Sequence, residues 1–172
     1  MINFEQYENA VAEYHKSIRI KTTPVSSWDF HCVMINDMKN SFIDGNILEQ
    51  IASMYKWRMP YWDIKNKLSE EEVIIVTDAQ LSIVFASRNI TKMNGYTPDE
   101  VIGKSPSMFQ GKKTSTLVSR EIRKAIQLKQ PFEKKILNYK KNGDIYTCLI
   151  SGYPIYNENG EFSHFIAFEK AA

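Results

Sequence analysis

In the first 70 residues, apolar side chains recur every three or four positions, which is the spacing of a helix. Between residues 3 and 21 they follow at spacings of 3, 4, 3 and 4. Two heptads are too few to define a coiled coil, but the stripe is too apolar to leave in water. It predicts packing against a neighbouring helix or a second subunit. The stripe consists of Phe4, Tyr7, Val11, Tyr14 and Ile18.

Two further helices are predicted between this stripe and Pro60. The first begins at Ser26, with a capping box, and ends at Asp44-Gly45. The second begins at Asn46 and stops at Pro60, which cannot continue a helix. Both have an apolar face, so the pattern favours a small helical region. The faces are Trp28, Cys32, Ile35, Met38 and Phe42 in the first helix, and Ile47, Leu48, Ile51 and Tyr55 in the second.

From Val73 onward the pattern becomes that of strands. Two short apolar runs precede a stretch of short helices, and a longer helix capped at Thr114 or Ser115 leads to three more strands. The order predicts an α+β fold: a five-stranded antiparallel sheet with helices on one face, preceded by an N-terminal helical region. We therefore divide the chain into a helical extension, residues 1–70, and a sheet domain, residues 71–172. The predicted strands are 73–78, 82–87, 132–140, 145–154 and 161–169, with hairpin turns at Asn142-Gly143 and Asn159-Gly160.

Composition narrows the class of protein. Hydrophobic residues make up 43% of the chain and charged residues 24%, as in soluble globular proteins. No apolar run is long enough to span a membrane, and the first residues lack the pattern of a signal peptide. The two cysteines, Cys32 and Cys148, fall in different regions, so no disulfide framework is expected. These features predict a cytoplasmic protein without a membrane partner.

The formal net charge of +2 conceals an uneven distribution. Residues 104–142 hold eleven Lys or Arg against Glu121 and Glu133. One interpretation is a regulator that binds nucleic acid through a basic face. The interpretation that we favour is a solvated helix face and an exposed strand, so nucleic acid is not the favoured partner.

The stretch from Asn94 to Gly111 reads N-G-Y-T-P-D-E-V-I-G-K-S-P-S-M-F-Q-G. Thr97, Pro98 and Glu100 form the capping box of a short helix that Gly103 can end with a positive φ. The residues and their spacing resemble a PAS domain, and most closely its light-oxygen-voltage group. In that group the pattern is roughly G-Y-x-x-x-E-V-x-G-x-N-C-R-F-L-Q-G, and its Cys reacts with flavin. The position of that Cys is Pro106 here.

The resemblance implies a flavin pocket and its contact positions. Gln110, Arg123 and Asn138 match the family at a loop, at a phosphate contact and at the edge of the flavin ring. Cys148 stands where the family has a second ring-edge Asn, and Glu169 stands where it has a signal-relaying Gln. In addition, Ser107 replaces a phosphate-binding Arg and Ala167 replaces a Gly. The predicted pocket positions are Gln110, Arg123, Asn138, Cys148 and Glu169. We predict that this pocket binds no cofactor, and the alternative is that it binds FMN.

The sequence contains no metalloprotease, phosphate-loop, nucleophile-elbow or dinucleotide-binding motif, and its three histidines are scattered. We therefore predict no enzymatic activity and no metal site. The predicted function is sensing or protein interaction in signal transduction, as a homodimer with an unknown signalling partner protein. The alternative is a sensor that binds flavin or another small molecule and responds to redox change or light without an adduct.

Overall fold

The computed structural model describes the backbone of residues 26–58 and 72–172, with side chains from residue 32 onward. The chain divides into two compact units, residues 1–35 and 36–172, and the second contains the sheet. The apolar stripe predicted over residues 3–21 lies outside the described residues. The domain boundary predicted near residue 70 also falls outside them and stays a prediction.

The described residues form helices and strands in the predicted order of strands, helices and strands, after one long helix. Short helices α2 and α3 and a 3-10 turn separate the first two strands from helix α4. The bounds are α1 Ser26–Met54, β1 Val73–Thr77, β2 Ile83–Ala86, α2 Ile90–Asn94, α3 Pro98–Val101, the 3-10 turn Pro106–Phe109, α4 Thr116–Gln127, β3 Phe132–Tyr139, β4 Ile145–Tyr156 and β5 Phe162–Ala171.

The five strands form one antiparallel sheet in the order β2-β1-β5-β4-β3. The first strand therefore pairs with the last, and Val73 lies opposite Glu169. Gly143 and Gly160 have φ of 90° and 78° in the two hairpin turns, a conformation that glycine adopts without strain. The predicted α+β class and the five-stranded antiparallel sheet are confirmed.

The inner face of the sheet carries the short helices. Alternate residues of a strand point to opposite faces, and Val73 and Ile75 of β1 point inward. They pack with Ile90 of α2, Val101 of α3 and Phe109 of the 3-10 turn, all of them buried. The predicted capping box is present, because the backbone N–H of Thr97 donates to Glu100 Oε2 at 2.9 Å. Gly103 has the predicted positive φ, 79°.

The C-terminal half of α1 covers the outer face of the sheet. Leu48 is 2% exposed and packs in one buried cluster with Ile74 and Val76 of β1 and Phe168 of β5. Burying such aliphatic side chains stabilises a fold by roughly 1.5–3 kcal/mol each. Residues 36–54 therefore belong to the same core as the sheet.

The predicted break of the helix at Asp44-Gly45 is wrong, because α1 continues through it. A glycine inside a helix costs only about 1 kcal/mol, and packing of Leu48 against the sheet outweighs that cost. Asp44 is 3% exposed and acts as a tertiary anchor. Its carboxylate accepts from the backbone N–H of Arg88 at 2.7 Å and forms a short ion pair with the Arg88 guanidinium.

The predicted end of the second helix at Pro60 is also wrong. The helix ends at Met54, and Lys56 then adopts a left-handed φ of 49°. This turn carries Trp57 onto the sheet, where its indole N–H donates to His164 Nδ1 at 3.1 Å. Both side chains are buried, so the bond fixes the chain against β5.

The apolar face predicted for the first helix is exposed at the positions whose side chains the structure describes, residues 32–42. Ile35, Met38 and Phe42 are 64%, 63% and 71% exposed, and the residues that reach the sheet belong to the last turns of α1. In a separate observation, no helix within the described ranges is both long enough and apolar enough to cross a lipid bilayer.

Candidate functional site

A cavity of about 160 Å³ lies between the inner face of the sheet and the helices, open on one side to solvent. Its walls are mostly apolar, and the polar groups lie at the entrance and at three strand positions, Thr77 on β1, Asn138 on β3 and Glu169 on β5. The principal lining residues are Ile75, Thr77, Leu81, Ser105, Pro106, Ser107, Phe109, Gln110, Ser119, Ile122, Arg123, Ile126, Phe132, Asn138, Ile150, Gly152, Phe165, Ala167 and Glu169.

Aromatic rings line the apolar part of the cavity. Phe132 and Phe165 lie with ring centroids 6.4 Å apart, and Phe109 is fully buried against the opposite helices. Gly152 makes this arrangement possible, because a Cβ at that position would collide with the ring of Phe132. Flat hydrophobic walls of this kind favour a planar, apolar body in the cavity.

The entrance is built by the 3-10 turn and the first turns of α4. Ser105 caps the 3-10 turn by accepting from the N–H of Ser107 at 3.4 Å. Gln110 accepts a hydrogen bond from the hydroxyl of Ser119 at 3.2 Å, which ties the turn to α4. Arg123 follows one turn later on α4 and is exposed. The entrance therefore offers hydroxyl groups and one cation, a combination suited to an anionic or oxygen-rich substituent.

Glu169 places a carboxyl group in the inner wall. It is 4% exposed, and its Oε2 accepts from the Cys148 thiol at 3.6 Å. Burial raises the pKa of Glu169 to about 7, and the bond from Cys148 only partly opposes this. Burial and the neighbouring Glu169 together raise the pKa of the Cys148 thiol far above its ordinary value. The pair is therefore mostly protonated in mildly acidic solution.

A second group of buried polar side chains lies where β3 and β4 meet α2. Asn138 and Tyr146 are opposite one another in the sheet, and Asn94 is the last residue of α2. Asn94 Nδ2, Asn138 Oδ1 and the Tyr146 hydroxyl are buried without a hydrogen-bond partner among the described residues. Burial raises the pKa of the Tyr146 hydroxyl, and the nearby amides of Asn94 and Asn138 only partly oppose this. Unpaired buried groups cost free energy, and Asn138 lines the cavity, where a ligand can pair with its Oδ1.

Four of the five predicted pocket residues line the cavity: Gln110, Arg123, Asn138 and Glu169. Cys148 is fully buried behind Glu169 and is not among the lining residues. The sequence analysis missed Asn94 and Tyr146 as part of the polar group. Tyr146 lies two residues before Cys148, on the same face of β4, and this period of two was the available signal.

The basic segment is partly neutralised in the structure. Lys134 pairs with Glu121 at 2.7 Å, and Lys141 pairs with Glu100 at 2.5 Å. The bond to Lys141 and the backbone N–H of Thr97 hold the pKa of Glu100 at about 2. Lys134 and Lys141 therefore form surface ion pairs that reduce the positive charge of this segment.

The PAS domain family matches residues 71–170. The chain is 34% identical over 126 residues to "Protein TWIN LOV 1" of Arabidopsis thaliana, covering 70% of this chain and 31% of that protein. It is 36% identical over 85 residues to a "Blue-light-activated histidine kinase" of Brucella canis, covering 49% of this chain and 17% of that protein. The chain thus spans about a third or less of these two relatives.

The fold matches that of a light-oxygen-voltage domain solved in a study with a flavin analogue. The TM-score is 0.60 at 20% identity, with 63% of this chain and 83% of that chain covered. At this identity the likeness concerns the fold alone. The match of the family to most of the sheet domain carries the assignment: the chain belongs to the PAS domain family, with light-oxygen-voltage domains among its relatives.

Proposed function

We propose that this chain is a sensory module of a signalling protein that responds to a small molecule in the cavity and forms no cysteinyl–flavin adduct. The observation that carries the proposal is the cavity itself: it contains a buried carboxyl group and no sulfur among its principal lining residues. Pro106, at the position of the family's reactive Cys, forms part of its wall. The names of the relatives support a role in signal reception.

The nearest described thiol is poorly suited to replace the missing nucleophile. Cys148 lies behind Glu169, and its raised pKa keeps it protonated. Only a thiolate is a good nucleophile, and a carboxylate beside it disfavours ionisation further. Adduct chemistry at this site is therefore not expected.

The residues present fit flavin poorly. Asn138, with its unpartnered Oδ1, and Arg123 at the entrance suit the ring edge and the phosphate. Ser107 removes a charge-assisted grip that is typically worth about 1.5–3 kcal/mol. Cys148 does not reach the cavity, and an ionised Glu169 would face the acceptor atoms of an oxidised flavin ring. FMN binding without an adduct is the second candidate, and Asn138 is the observation in its favour.

The packing suggests how occupancy could reach the rest of the protein. Glu169 points into the cavity, and the preceding residue, Phe168, points to the outer face and packs in the cluster that contains Leu48 of α1. A shift of β5 on ligand binding would therefore change how α1 packs on the sheet. We assign the transmission of the signal to α1 and a homodimer interface to its exposed apolar face. We place the protein in the cytoplasm, where it acts on a partner protein that is unknown. No catalytic centre is assigned to this chain.

An absorbance spectrum tests this proposal. The protein is expressed with excess riboflavin, purified and scanned from about 350 to 500 nm, where flavins absorb, before and after blue light. We expect no stoichiometric flavin band and no bleaching. A stoichiometric band that does not bleach in light would favour the second candidate, and a band that bleaches and recovers in the dark would contradict both.

A further inference from the structure

Glu169 is a buried hydrogen-bond acceptor for which the described residues provide no strong donor. Its one hydrogen bond among the described residues comes from a thiol, a weak donor. No described Lys, Arg or His forms an ion pair with it, and Arg123 at the entrance does not act on its pKa. A carboxyl group in such a place stays protonated unless a donor stabilises its ionised form, and the open cavity is where a ligand can supply that donor.

The surrounding walls restrict the shape of that ligand. Phe109, Phe132 and Phe165 present flat apolar surfaces, which suit a planar ring. The entrance adds Arg123 and serine hydroxyls, which suit an anionic substituent. The ligand therefore has a flat body, a donor edge and an anionic tail.

We propose that the cavity binds a planar heterocycle with a 2-amino-4-oxopyrimidine edge, as in guanine nucleotides and pterins. The ring N–H and the exocyclic amino group donate to the two oxygens of Glu169, and an anionic substituent meets Arg123. The proposal uses the same cavity as the proposed sensory function and names the class of ligand for it.

Two adjacent donors distinguish this edge from the alternatives. A carboxylate accepts two parallel N–H bonds in a bidentate pair, which adds specificity to affinity. A ligand ammonium would also neutralise Glu169, but burying a full charge in an apolar cavity carries a larger desolvation penalty. The oxidised flavin edge offers a single N–H between two carbonyl acceptors, so it cannot form this pair.

Matched pairs of probes test the donor edge on the full-length wild-type chain. The first pair is GMP and IMP, which lacks the 2-amino group; the second is 6-carboxypterin and 6-carboxylumazine, in which an oxo group replaces it. Isothermal titration calorimetry measures each affinity, with FMN as a further probe. We expect GMP or 6-carboxypterin to bind at least about tenfold more tightly than its partner compound, because a site built for a donor rejects its absence. The pair that discriminates identifies the source as nucleotide or pterin.

Two variants locate the contact. Glu169→Gln keeps the size of the side chain but leaves one acceptor oxygen. It should lower the affinity for the preferred probe by at least about tenfold. Glu133→Gln, on the exposed side of β3, is the matched control and should bind like the wild type.

Equal binding within both pairs, no binding of either amino compound, or tighter binding of FMN would overturn the proposal. Undiminished binding by Glu169→Gln would do so too. If that variant fails to fold, the comparison of probes on the wild type still decides. Because these measurements use no light, their failure is distinct from that of the proposed function, which an adduct would contradict.

Discussion

The two faces of the sheet differ in how completely their polar groups are paired. On the outer face, Trp57 bonds to His164, and apolar side chains of α1 fill the space above β1 and β5. On the inner face, Asn94, Asn138 and Tyr146 keep unpartnered atoms, and Glu169 has only a thiol donor. Buried polar groups are normally paired, so we interpret the outer face as having a structural role and the inner face as a binding site. Four predictions test this difference.

The largest effect is expected from Leu48→Ala on the outer face. Leu48 is 2% exposed in the cluster between α1 and the sheet, and truncation there should cost about 2–5 kcal/mol of unfolding free energy. Urea unfolding followed by circular dichroism measures the change. Met38→Ala, at a position 63% exposed on the same helix, is the control and should change stability by less than about 0.5 kcal/mol. A loss below about 1 kcal/mol for Leu48→Ala would contradict the packing of α1 on the sheet.

The second prediction concerns pH and the inner face. The pKa of Glu169 is raised from 4.5 to about 7 on folding, so the folded state holds an extra proton between these values. The stabilising contribution is complete below about pH 4.5 and is lost as pH rises through 7, by up to about 3 kcal/mol. Unfolding curves at about pH 5 and pH 8 should show this loss in the wild type but not in Glu169→Gln.

The pKa of His164 is lowered by burial, so its own contribution is lost as pH falls below 6.5 and opposes that of Glu169. Both proteins contain His164, and the difference between them removes its effect. Parallel pH profiles for wild type and Glu169→Gln would show that Glu169 is solvated in the folded state.

A smaller effect is expected from Trp57→Phe. The change removes the donor to His164 Nδ1 while keeping an aromatic ring, and it should cost about 1–2 kcal/mol. Thermal and urea unfolding provide the measurement. Tyr156→Phe removes a long, exposed hydroxyl contact to the Lys129 carbonyl at 3.5 Å and should have little effect. If the two variants are equally stable, the bond to His164 does not anchor the end of α1.

The smallest effect on stability is expected at Phe42, which is 71% exposed on α1. Phe42→Ser should change the unfolding free energy of the monomer by less than about 0.5 kcal/mol but weaken self-association. Sedimentation velocity at several concentrations separates the two effects. A wild-type protein that stays monomeric at every concentration would remove this surface as a homodimer interface.

Local patterns were sufficient to predict much of the sheet domain. Val73 to Val76 is a continuous apolar run, and Asn142-Gly143 is a strong signal for a tight hairpin turn. Thr97 and Glu100 cap their helix as predicted, since both partners lie within one turn of each other. The break at Gly45 failed because its outcome depends on Leu48 meeting a sheet that begins 25 residues later.

The sequence by itself determined the order of strands and short helices, because spacing, caps and glycine turns act between near neighbours. It also determined that Pro106 brings no thiol to the cavity wall. Only the tertiary structure decided that Cys148 lies behind Glu169 and that α1 packs on the outer face. It also decided that Asn94, Asn138 and Tyr146 come together with one buried polar atom of each left without a partner among the described residues. These features depend on groups distant in sequence meeting in a place that excludes water, where pairing and pKa are set by burial rather than by neighbours along the chain.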